Sequence, residues 1–348
     1  MLSVNNISYT KGKLIDSGTY GSVYYISNKK SRNQALKEYT LENKCLDPGV
    51  LREISILTMI KKSKVALMEI QDIIVNKDSI GVVLPYYNYT LTHAIHTNTL
   101  TPKERKNIFY DISLAIHYLH TNNIIHRDIK PDNIMLDLNM KSVLCDFTLS
   151  KVYDTCLEDD THTDKICTPT YRAPEVVYNK GYSLSSDIWS WGVVLYELYT
   201  KKLQRHEEDS KMLEHILSQL NSFKKTLIAT LIKSMLEFSP ERRPKSQDII
   251  NSSIFKKYKL ISMKTNIKKL DTNIVVDDII DELCLHFEVE KDITRYAAQI
   301  YYNCSEEDPV LCTQLAYKLY ETDVLTTEKE DFKTECKILH SMNYNLFV

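Results

Sequence analysis

The stretch IIHRDIKPDNIM, residues 124–135, constrains this chain more than any other part of its sequence. Six polar or charged residues fall within eight positions, and apolar runs flank them on both sides. Asp128 and Asn133 stand five apart, and a short apolar segment then leads to another acid, Asp146, in VLCDF. A solvated loop can be this polar, but it rarely keeps such a spacing. The pattern indicates a chemical site, and the rest of the chain indicates which kind.

The composition excludes several classes of protein. At about 150 residues per domain, 348 residues make one large domain or two to three small ones. The chain is 43% hydrophobic and 26% charged, as globular domains are, and its net charge of -2 argues against nucleic-acid or membrane-surface binding. We find no apolar run of about 18 residues and no signal peptide. The eight scattered cysteines form no C-x-x-C pair, which predicts reduced thiols and an intracellular location, cytoplasmic or nuclear.

Hydrophobic periodicity divides the chain into regions. Residues 7–39 alternate apolar and polar positions, and residues 70–84 predict a hairpin that turns at NKDS. Between them, residues 46–62 have helical spacing at Val50, Ile54, Leu57 and Ile60. These elements predict a small, strand-rich N-terminal lobe.

Helical signals then dominate. Thr101, a following proline and Glu104 predict a capping box, and the helix that it begins has a buried stripe at Ile108, Ile112, Ala115 and Leu119. Residues 187–199 are apolar nearly all round and predict a buried helix. Further helices reach about residue 258, a linker follows at 259–273, and residues 274–348 predict a small all-α module.

The stretch IDSGTYGSV, residues 15–23, predicts two strands joined by a turn that contains glycine. Such a turn can lie over phosphates because its backbone N–H groups can approach them closely, although an ordinary hairpin has the same pattern. Lys37 follows on the next strand, where it could hold the α- and β-phosphates with Glu53 as its partner. A lysine with this local sequence is more often a surface residue, so Lys37 and Glu53 indicate a phosphate site only together with the motifs that follow them.

In this order the motifs resemble those of protein kinases, over residues 7–258. The matching residues are Lys37, Glu53, the HRD motif at 126–128 with Asn133, Asp146, the APE motif at 173–175, Asp187 and Arg243. The resemblance implies an α+β, bilobal fold, with a β-rich N-lobe and an α-helical C-lobe, that binds ATP and Mg²⁺ between the lobes. It also implies transfer of the γ-phosphoryl group of ATP to hydroxyls of protein substrates.

The resemblance implies a role for each matched residue. Asp128 would orient the substrate hydroxyl or accept its proton, Lys130 would stabilise the transferring phosphoryl group, and Asn133 and Asp146 would hold Mg²⁺. Glu175 and Arg243 would form a buried ion pair that anchors the activation segment, and Asp187 would hold the backbone of the catalytic loop. The residues expected around ATP are Ile15, Gly18, Gly21, Val23, Ala35, Lys37, Glu53, Leu84, Tyr86 and Tyr87.

Three stretches, GTYG, PGVLREISIL and YRAPE, resemble the cyclin-dependent kinases in particular. That resemblance implies inhibitory phosphorylation at Thr19 and Tyr20 and activating phosphorylation at Thr163. The phosphate on Thr163 would be held by three cations, Arg52, Arg127 and Lys151.

Substrate preference follows from the same resemblance. DIKPDN, with lysine two residues after Asp128, is typical of Ser/Thr rather than Tyr kinases. Ile166, Cys167 and Arg172 occupy positions that shape the pocket after the phosphoacceptor, which predicts a preference for a following proline. Pro169 stands where the family commonly has a larger apolar residue, so a reshaped pocket is the alternative.

The C-terminal region has two segments that partly resemble a cyclin box, LCTQLAYKLYE at 311–321 and DFKTECKILHSMNYNLF at 331–347. The resemblance would make Lys318 and Glu335 contacts to the helix that bears Glu53. The partner of the kinase domain would then be this module in cis, or a separate cyclin. A small helical appendage that only packs on a lobe and an autoinhibitory tail are the alternatives.

Three features depart from the kinase pattern. Asp16 replaces the first glycine of the phosphate loop, where it either repels phosphates or faces solvent. Thr148 replaces the glycine of the DFG motif, and threonine should make backbone flips there harder. Residues 200–236 are also shorter than in cyclin-dependent kinases. These departures leave a pseudokinase scaffold as the main alternative, while a small-molecule kinase fits the activation segment poorly.

Overall fold

The structure of this protein is a computed structural model. It describes residues 7–18, 21–29, 33–40, 47–61, 63–76, 79–152, 169–201, 203, 209–220 and 226–256. The predicted linker, 259–273, and the predicted helical tail, 274–348, lie outside the described residues.

The described part of the N-terminal lobe contains a five-stranded antiparallel sheet and one helix. The strands are β1 (Thr10–Gly18), β2 (Gly21–Ser27), β3 (Gln34–Thr40), β4 (Asp72–Asn76) and β5 (Ser79–Pro85), in the spatial order β1-β2-β3-β5-β4. Strands β4 and β5 confirm the predicted hairpin. Lys37 lies opposite Val23 on β2 and Val82 on β5, so it sits in the middle strand of the sheet.

Helix α1 (Pro48–Ile60) packs against this sheet. Asp47 caps it, because the Asp47 carboxylate accepts a hydrogen bond from the N–H of Gly49 at 2.7 Å. The predicted stripe is confirmed: Val50, Ile54, Leu57 and Ile60 are all at most 3% exposed, and they share one core with Tyr39 of β3. The apolar stripe therefore fixes which face of α1 is turned toward the sheet.

The C-terminal lobe is mainly helical. Its described helices are α2 (Leu91–His96), α3 (Pro102–Thr121), α4 (Pro174–Val177), α5 (Leu184–Thr200), α6 (Asp209–Leu220), α7 (Leu227–Met235) and α8 (Ser246–Ile250). Its short strands are β6 (Tyr89–Thr90), β7 (Ile124–Ile125), β8 (Ile134–Leu136), β9 (Ser142–Leu144) and β10 (Lys151–Val152), which form the antiparallel sets β6-β8-β9 and β10-β7.

Helices α3 and α5 form the centre of this lobe. The capping box is confirmed, with the N–H of Glu104 donating to the Thr101 hydroxyl and the N–H of Thr101 donating to the Glu104 carboxylate. The stripe predicted on α3 is buried, and α5 is buried on all sides from Ser186 to Leu198. The indole of Trp191 on α5 donates to the Ser113 hydroxyl on α3 at 2.9 Å, so the polar atom of this buried side chain is satisfied.

The short strands position the loops that carry the predicted site. Strand β7 ends directly before His126, β8 begins directly after Asn133, and β9 ends two residues before Asp146. Because β8 and β9 are paired, the segment that ends at Asn133 and the segment that holds Asp146 are brought side by side. Within the described ranges, none of the helices combines the length and the apolar character that crossing a bilayer requires.

Asp111 is a partly buried acid on α3. Burial raises the pKa of Asp111 from 3.8 to about 6, although the charge of Lys141 acts to lower it. Since the folded pKa exceeds the unfolded one, protonated Asp111 contributes stability below about pH 4, and this contribution is lost as the pH rises through 6.

We expect Asp111→Asn to have a higher melting temperature than the parent chain at pH 7.5, because it removes a poorly solvated charge. The advantage should shrink as the pH falls from 6 to 4, where the parent carboxyl becomes protonated. Thermal unfolding across this pH range, with the exposed Glu237→Gln as control, measures the effect. A pH-independent difference would contradict the burial of a titrating carboxyl at this place.

Candidate active site

Lys37 is the centre of the site. Its Nζ donates to both carboxylate oxygens of Glu53, at 3.0 and 2.9 Å, and to Oδ1 of Asp146 at 3.2 Å. Lys37 lies on β3, Glu53 on α1, and Asp146 follows β9. One ammonium group therefore joins the N-lobe sheet, the N-lobe helix and a loop of the C-lobe.

The charges of this cluster support one another. Burial by itself lowers the pKa of Lys37, but Glu53 and Asp146 outweigh it and raise that pKa well above its ordinary value. Burial also acts to raise the pKa of Asp146, but the charge of Lys37 and the hydroxyl of Thr148 lower it to about 2. Lys37 and Asp146 are therefore both ionised at neutral pH.

Asp128, Lys130 and Asn133 form a second cluster on the loop between β7 and β8. The Asp128 carboxylate oxygen Oδ2 accepts from Lys130 Nζ at 2.7 Å and from the amide nitrogen of Asn133 at 2.9 Å. The same amide nitrogen donates to the carbonyl oxygen of Asp128 at 2.8 Å. Because Asn133 holds both the side chain and the backbone of Asp128, the carboxylate has a fixed orientation.

Asp187, at the first turn of α5, holds the backbone of this loop. Its carboxylate accepts from the N–H of His126 at 2.8 Å and from the N–H of Arg127 at 3.0 Å, and His120 Nε2 lies 3.1 Å away. Asp187 is only 1% exposed. Arg127 has a left-handed φ of 65°, which is uncommon for a residue with a side chain, and these bonds stabilise it.

The segment that begins at Asp146 has a second left-handed residue. Asp146 itself has a φ of 66°, whereas Thr148, where we expected a stiffer hinge, lies outside the left-handed region. Phe147 between them is fully buried, with its ring centroid 5.1 Å from that of His126. The threonine therefore causes no backbone strain of the kind that glycine would relieve.

Most of the residues expected around ATP lie on strands of the N-lobe sheet or directly after its strand β5. Val23 lies on β2 and Ala35 on β3, where Ala35 pairs with Leu84 of β5. Tyr86 and Tyr87 follow directly after the end of β5. Ile15 is 40% exposed on β1.

The two glycines of the β1–β2 hairpin differ in the space that is available for a side chain. Gly18 and Gly21 face each other at the tip of β1 and β2. A Cβ atom on Gly18 would meet no atom within 4 Å, whereas one on Gly21, at φ 157°, would lie 2.3 Å from the carbonyl oxygen of Glu38. Asp16 is exposed, and its carboxylate accepts from the N–H of Ser17 at 2.8 Å, as expected for an acid that faces solvent.

The cations expected at the phosphosite converge on one segment. Arg52 Nη1 donates to the carbonyl oxygen of Thr148 at 2.7 Å, and Arg127 Nε donates to that of Leu149 at 2.6 Å. Lys151 follows two residues later on β10. Their expected partner Thr163 lies outside the described residues, as do Thr19, Tyr20, Ile166 and Cys167.

Glu175 and Arg243 form a buried, bidentate ion pair. The two nitrogens Nη1 and Nη2 of Arg243 donate to the two carboxylate oxygens of Glu175, each at 2.7 Å. The Arg243 side chain is fully buried and also donates to backbone carbonyls of residues 185, 237 and 238. The pair joins α4 to the segment before α8.

Comparison with known proteins agrees with this geometry. Residues 9–255 match the family described as "Protein kinase domain". The chain belongs to the protein kinase family. The match covers well over half of the 348 residues and includes both clusters and the Glu175–Arg243 pair.

Several curated kinases are similar to this chain. CBL-interacting serine/threonine-protein kinase 12 of Arabidopsis thaliana is 29% identical over 306 residues, which cover 84% of this chain and 61% of that protein. The probable CTD kinase subunit alpha homolog of Encephalitozoon cuniculi is 34% identical over 199 residues, covering 57% and 59%. The carbon catabolite-derepressing protein kinase of Saccharomyces cerevisiae is 28% identical over 260 residues, covering 72% and 40%. The chain thus spans about two fifths to three fifths of their length.

The protein kinase domain implies ATP and Mg²⁺, and the residues present fit both. The Asn133 amide nitrogen faces Asp128, which leaves its oxygen as a ligand for a cation. Lys37 and Thr148 both donate to Oδ1 of Asp146, while 37% of that side chain remains exposed. Oxygen ligands of this kind suit Mg²⁺, which keeps several waters and binds substrate phosphates. In the described ranges no group of three or more His, Cys, Asp or Glu forms another metal site.

Sequence reasoning missed two residues of the first cluster. The Tyr39 hydroxyl donates to Oε2 of Glu53, and the Thr148 hydroxyl lies 3.0 Å from the same oxygen. Tyr39 stands two residues after Lys37, so the period of a strand places both on one face and could have revealed it. No local signal reveals the contact of Thr148, which lies 95 residues from Glu53 in the sequence.

We expect Arg243→Leu to lower the free energy of unfolding by about 3–5 kcal/mol, because it leaves the buried Glu175 carboxylate without its cation. Denaturant unfolding measures the loss. The neighbouring, exposed Arg242→Leu is the matched control and should change stability little. An equal effect of the two substitutions would contradict a structural role of the buried pair.

Proposed function

We propose that this chain is a Ser/Thr protein kinase that transfers the γ-phosphoryl group of ATP to hydroxyls of protein substrates. One observation carries the proposal: Lys37 holds Glu53 and Asp146 together, and the loop after β7 presents Asp128, Lys130 and Asn133 beside them. Phosphoryl transfer demands mainly positioning and charge stabilisation, and this site supplies both.

Each residue has a role in this mechanism. Lys37 would bind the α- and β-phosphates while Glu53 keeps its side chain in place. Asp128, oriented by Asn133, would hold the substrate hydroxyl and accept its proton, and Lys130 would stabilise the charge of the transferring group. Asn133 and Asp146 would hold Mg²⁺, which when bound neutralises charge on the phosphates.

Serine and threonine are the favoured acceptors for two reasons. The catalytic loop reads DIKPDN, and curated relatives are named serine/threonine-protein kinases. We also propose a preference for proline after the acceptor, which rests on the resemblance to cyclin-dependent kinases at Ile166, Cys167 and Arg172. Pro169 is the residue that would weaken this preference by reshaping the pocket.

Phosphorylation would control the site. Arg52 and Arg127 donate to adjacent carbonyls, which brings two guanidinium groups to one place, with Lys151 two residues further on. Clustered cations of this kind order a loop by pairing with a phosphate, and Thr163 is the residue proposed to carry it. Thr19 and Tyr20, at the tip of the phosphate loop, are the proposed inhibitory positions.

A cyclin-like partner would act on α1, and we propose that residues 274–348 supply it in cis. Lys318 and Glu335 are the proposed contacts to the helix that bears Glu53. Two relatives carry an interaction or an assembly in their names, CBL-interacting and CTD kinase subunit alpha. A tethered module acts at an effective concentration of about millimolar for a short linker, so it needs no separate partner protein.

We expect Asp146→Asn, Lys37→Met and Asp128→Asn each to lower phosphoryl transfer at least about a hundredfold, since they remove, in that order, a metal ligand, a phosphate-binding cation and the proton acceptor. Radiolabelled ATP with a generic protein substrate, followed by phosphoamino-acid analysis, measures rate and acceptor. Asp132→Asn is the matched control, an exposed acid in the same loop. A parent chain that binds ATP but transfers nothing would be a pseudokinase and would refute the proposal.

We expect residues 1–258 alone to be at least about tenfold less active than the full chain, which corresponds to a typical coupling energy. Lys318→Glu in the full chain should lose activity in the same way, and Lys329→Glu should not. Steady-state rates at equal concentration measure the difference. A truncated chain of equal or greater activity would exclude activation in cis and favour a passive or inhibitory tail.

A further inference from the structure

Thr148 contacts three residues on one face of α1. Its carbonyl oxygen accepts from Arg52, its hydroxyl lies 3.0 Å from Oε2 of Glu53, and its methyl group packs against Gly49. The space at Gly49 is filled by this methyl, because a Cβ atom there would lie 2.8 Å from Thr148 Cγ2. Positions 49, 52 and 53 share a helix face through the i, i+3 and i+4 spacing.

The same hydroxyl also binds Asp146. Thr148 Oγ1 lies 2.7 Å from Oδ1 of Asp146, the oxygen to which Lys37 also donates. A hydroxyl has one proton and donates to one carboxylate at a time, so Thr148 is shared between Glu53 and Asp146. Both carboxylates that pair with Lys37 therefore also meet at this single side chain.

Because Thr148 is buried, the loss of its polar contacts would cost free energy. The residue is 2% exposed, and a buried hydroxyl or carboxylate without a hydrogen-bond partner costs about 1–3 kcal/mol. Glycine, which kinases of this pattern have at the position, can supply only the carbonyl contact to Arg52. The hydroxyl bridge between Glu53 and Asp146 and the methyl packing on Gly49 thus both depend on the threonine at position 148.

We propose that Thr148 is a positioning residue that pins α1 to the start of the activation segment and keeps Glu53 and Asp146 aligned on Lys37. The placement of α1 is then built into the kinase domain rather than left wholly to a partner. The catalytic consequence rests on the proposed kinase function, whereas the contact itself does not.

The test compares three variants of the full chain. Thr148→Val keeps the shape and the methyl group but removes the hydroxyl, Thr148→Ser keeps the hydroxyl, and Tyr39→Phe removes a hydroxyl that touches Glu53 but not Asp146. Hydrogen exchange of the α1 amides, measured without nucleotide or metal, reports the helix directly. Melting temperatures verify that each variant is folded.

We expect exchange in α1 to be about tenfold faster in Thr148→Val and close to the parent in Thr148→Ser. Tyr39→Phe should have a smaller effect, because it leaves the link to Asp146 intact. In the active enzyme, Thr148→Val should lower kcat about tenfold and leave the KM for protein substrate within about twofold, since Thr148 is buried. Unchanged exchange in Thr148→Val, or no rescue by Thr148→Ser, would overturn the proposal.

Gly49→Ala tests the packing contact. Its Cβ would meet Thr148 Cγ2 and also Asp47 Oδ1, each at 2.8 Å. Gly49→Ala should therefore destabilise the parent chain more than it destabilises the Thr148→Ser chain, where the methyl group is absent. The contact with Asp47 is the same in both chains, so it cancels when the two losses are compared in a double-mutant cycle. Equal losses would refute the packing. A parent chain without kinase activity would refute the proposed function, while the exchange result would still decide the role of Thr148.

Discussion

The ion cluster of Lys37, Glu53 and Asp146 is the interaction on which the rest of the site depends. Burial disfavours the charges of Lys37 and Asp146, and each of these two groups stays ionised because the opposite charge beside it offsets that cost. The three residues come from β3, from α1, which follows β3 in the chain, and from the loop after β9, where Asp146 lies 109 positions after Lys37. The position of the N-lobe helix α1 and the position of the proposed metal ligand Asp146 are therefore coupled through Lys37.

The C-lobe presents its side of the site through backbone contacts. Asp187 accepts two N–H groups of the catalytic loop, and Asn133 holds both ends of Asp128. These bonds maintain the left-handed backbone of Arg127, which costs free energy and persists only where the surroundings determine it. A loop fixed in this way suits a reaction that is accelerated mainly by positioning.

Two departures from the kinase pattern have opposite structural consequences. Asp16 is exposed and accepts a hydrogen bond from the backbone N–H of Ser17, away from the charge cluster at Lys37. Thr148 is buried at the centre of that cluster, and it packs on a glycine of α1 that leaves room for its methyl group. The threonine at position 148 is thus accommodated by Gly49, which lies 99 positions earlier in the chain.

The sequence by itself predicted the main strands and helices and most residues of the candidate site. Strand alternation, the stripe on α1 and the capping box at Thr101 are local patterns, and local patterns can be read without coordinates. The order of Lys37, Glu53, Asp128, Asn133 and Asp146 likewise indicated the family before any contact was known. Tyr39 was within reach of the same reasoning, through its position two residues after Lys37.

Only the tertiary structure decided how Asp16 and Thr148 act. Sequence reasoning left Asp16 either facing solvent or repelling phosphates, and it expected Thr148 to matter through its backbone. The structure places the first in solvent, and it shows the second acting through its hydroxyl and methyl group. Contacts between residues nearly a hundred positions apart depend on how the two lobes pack, and no local spacing encodes that packing.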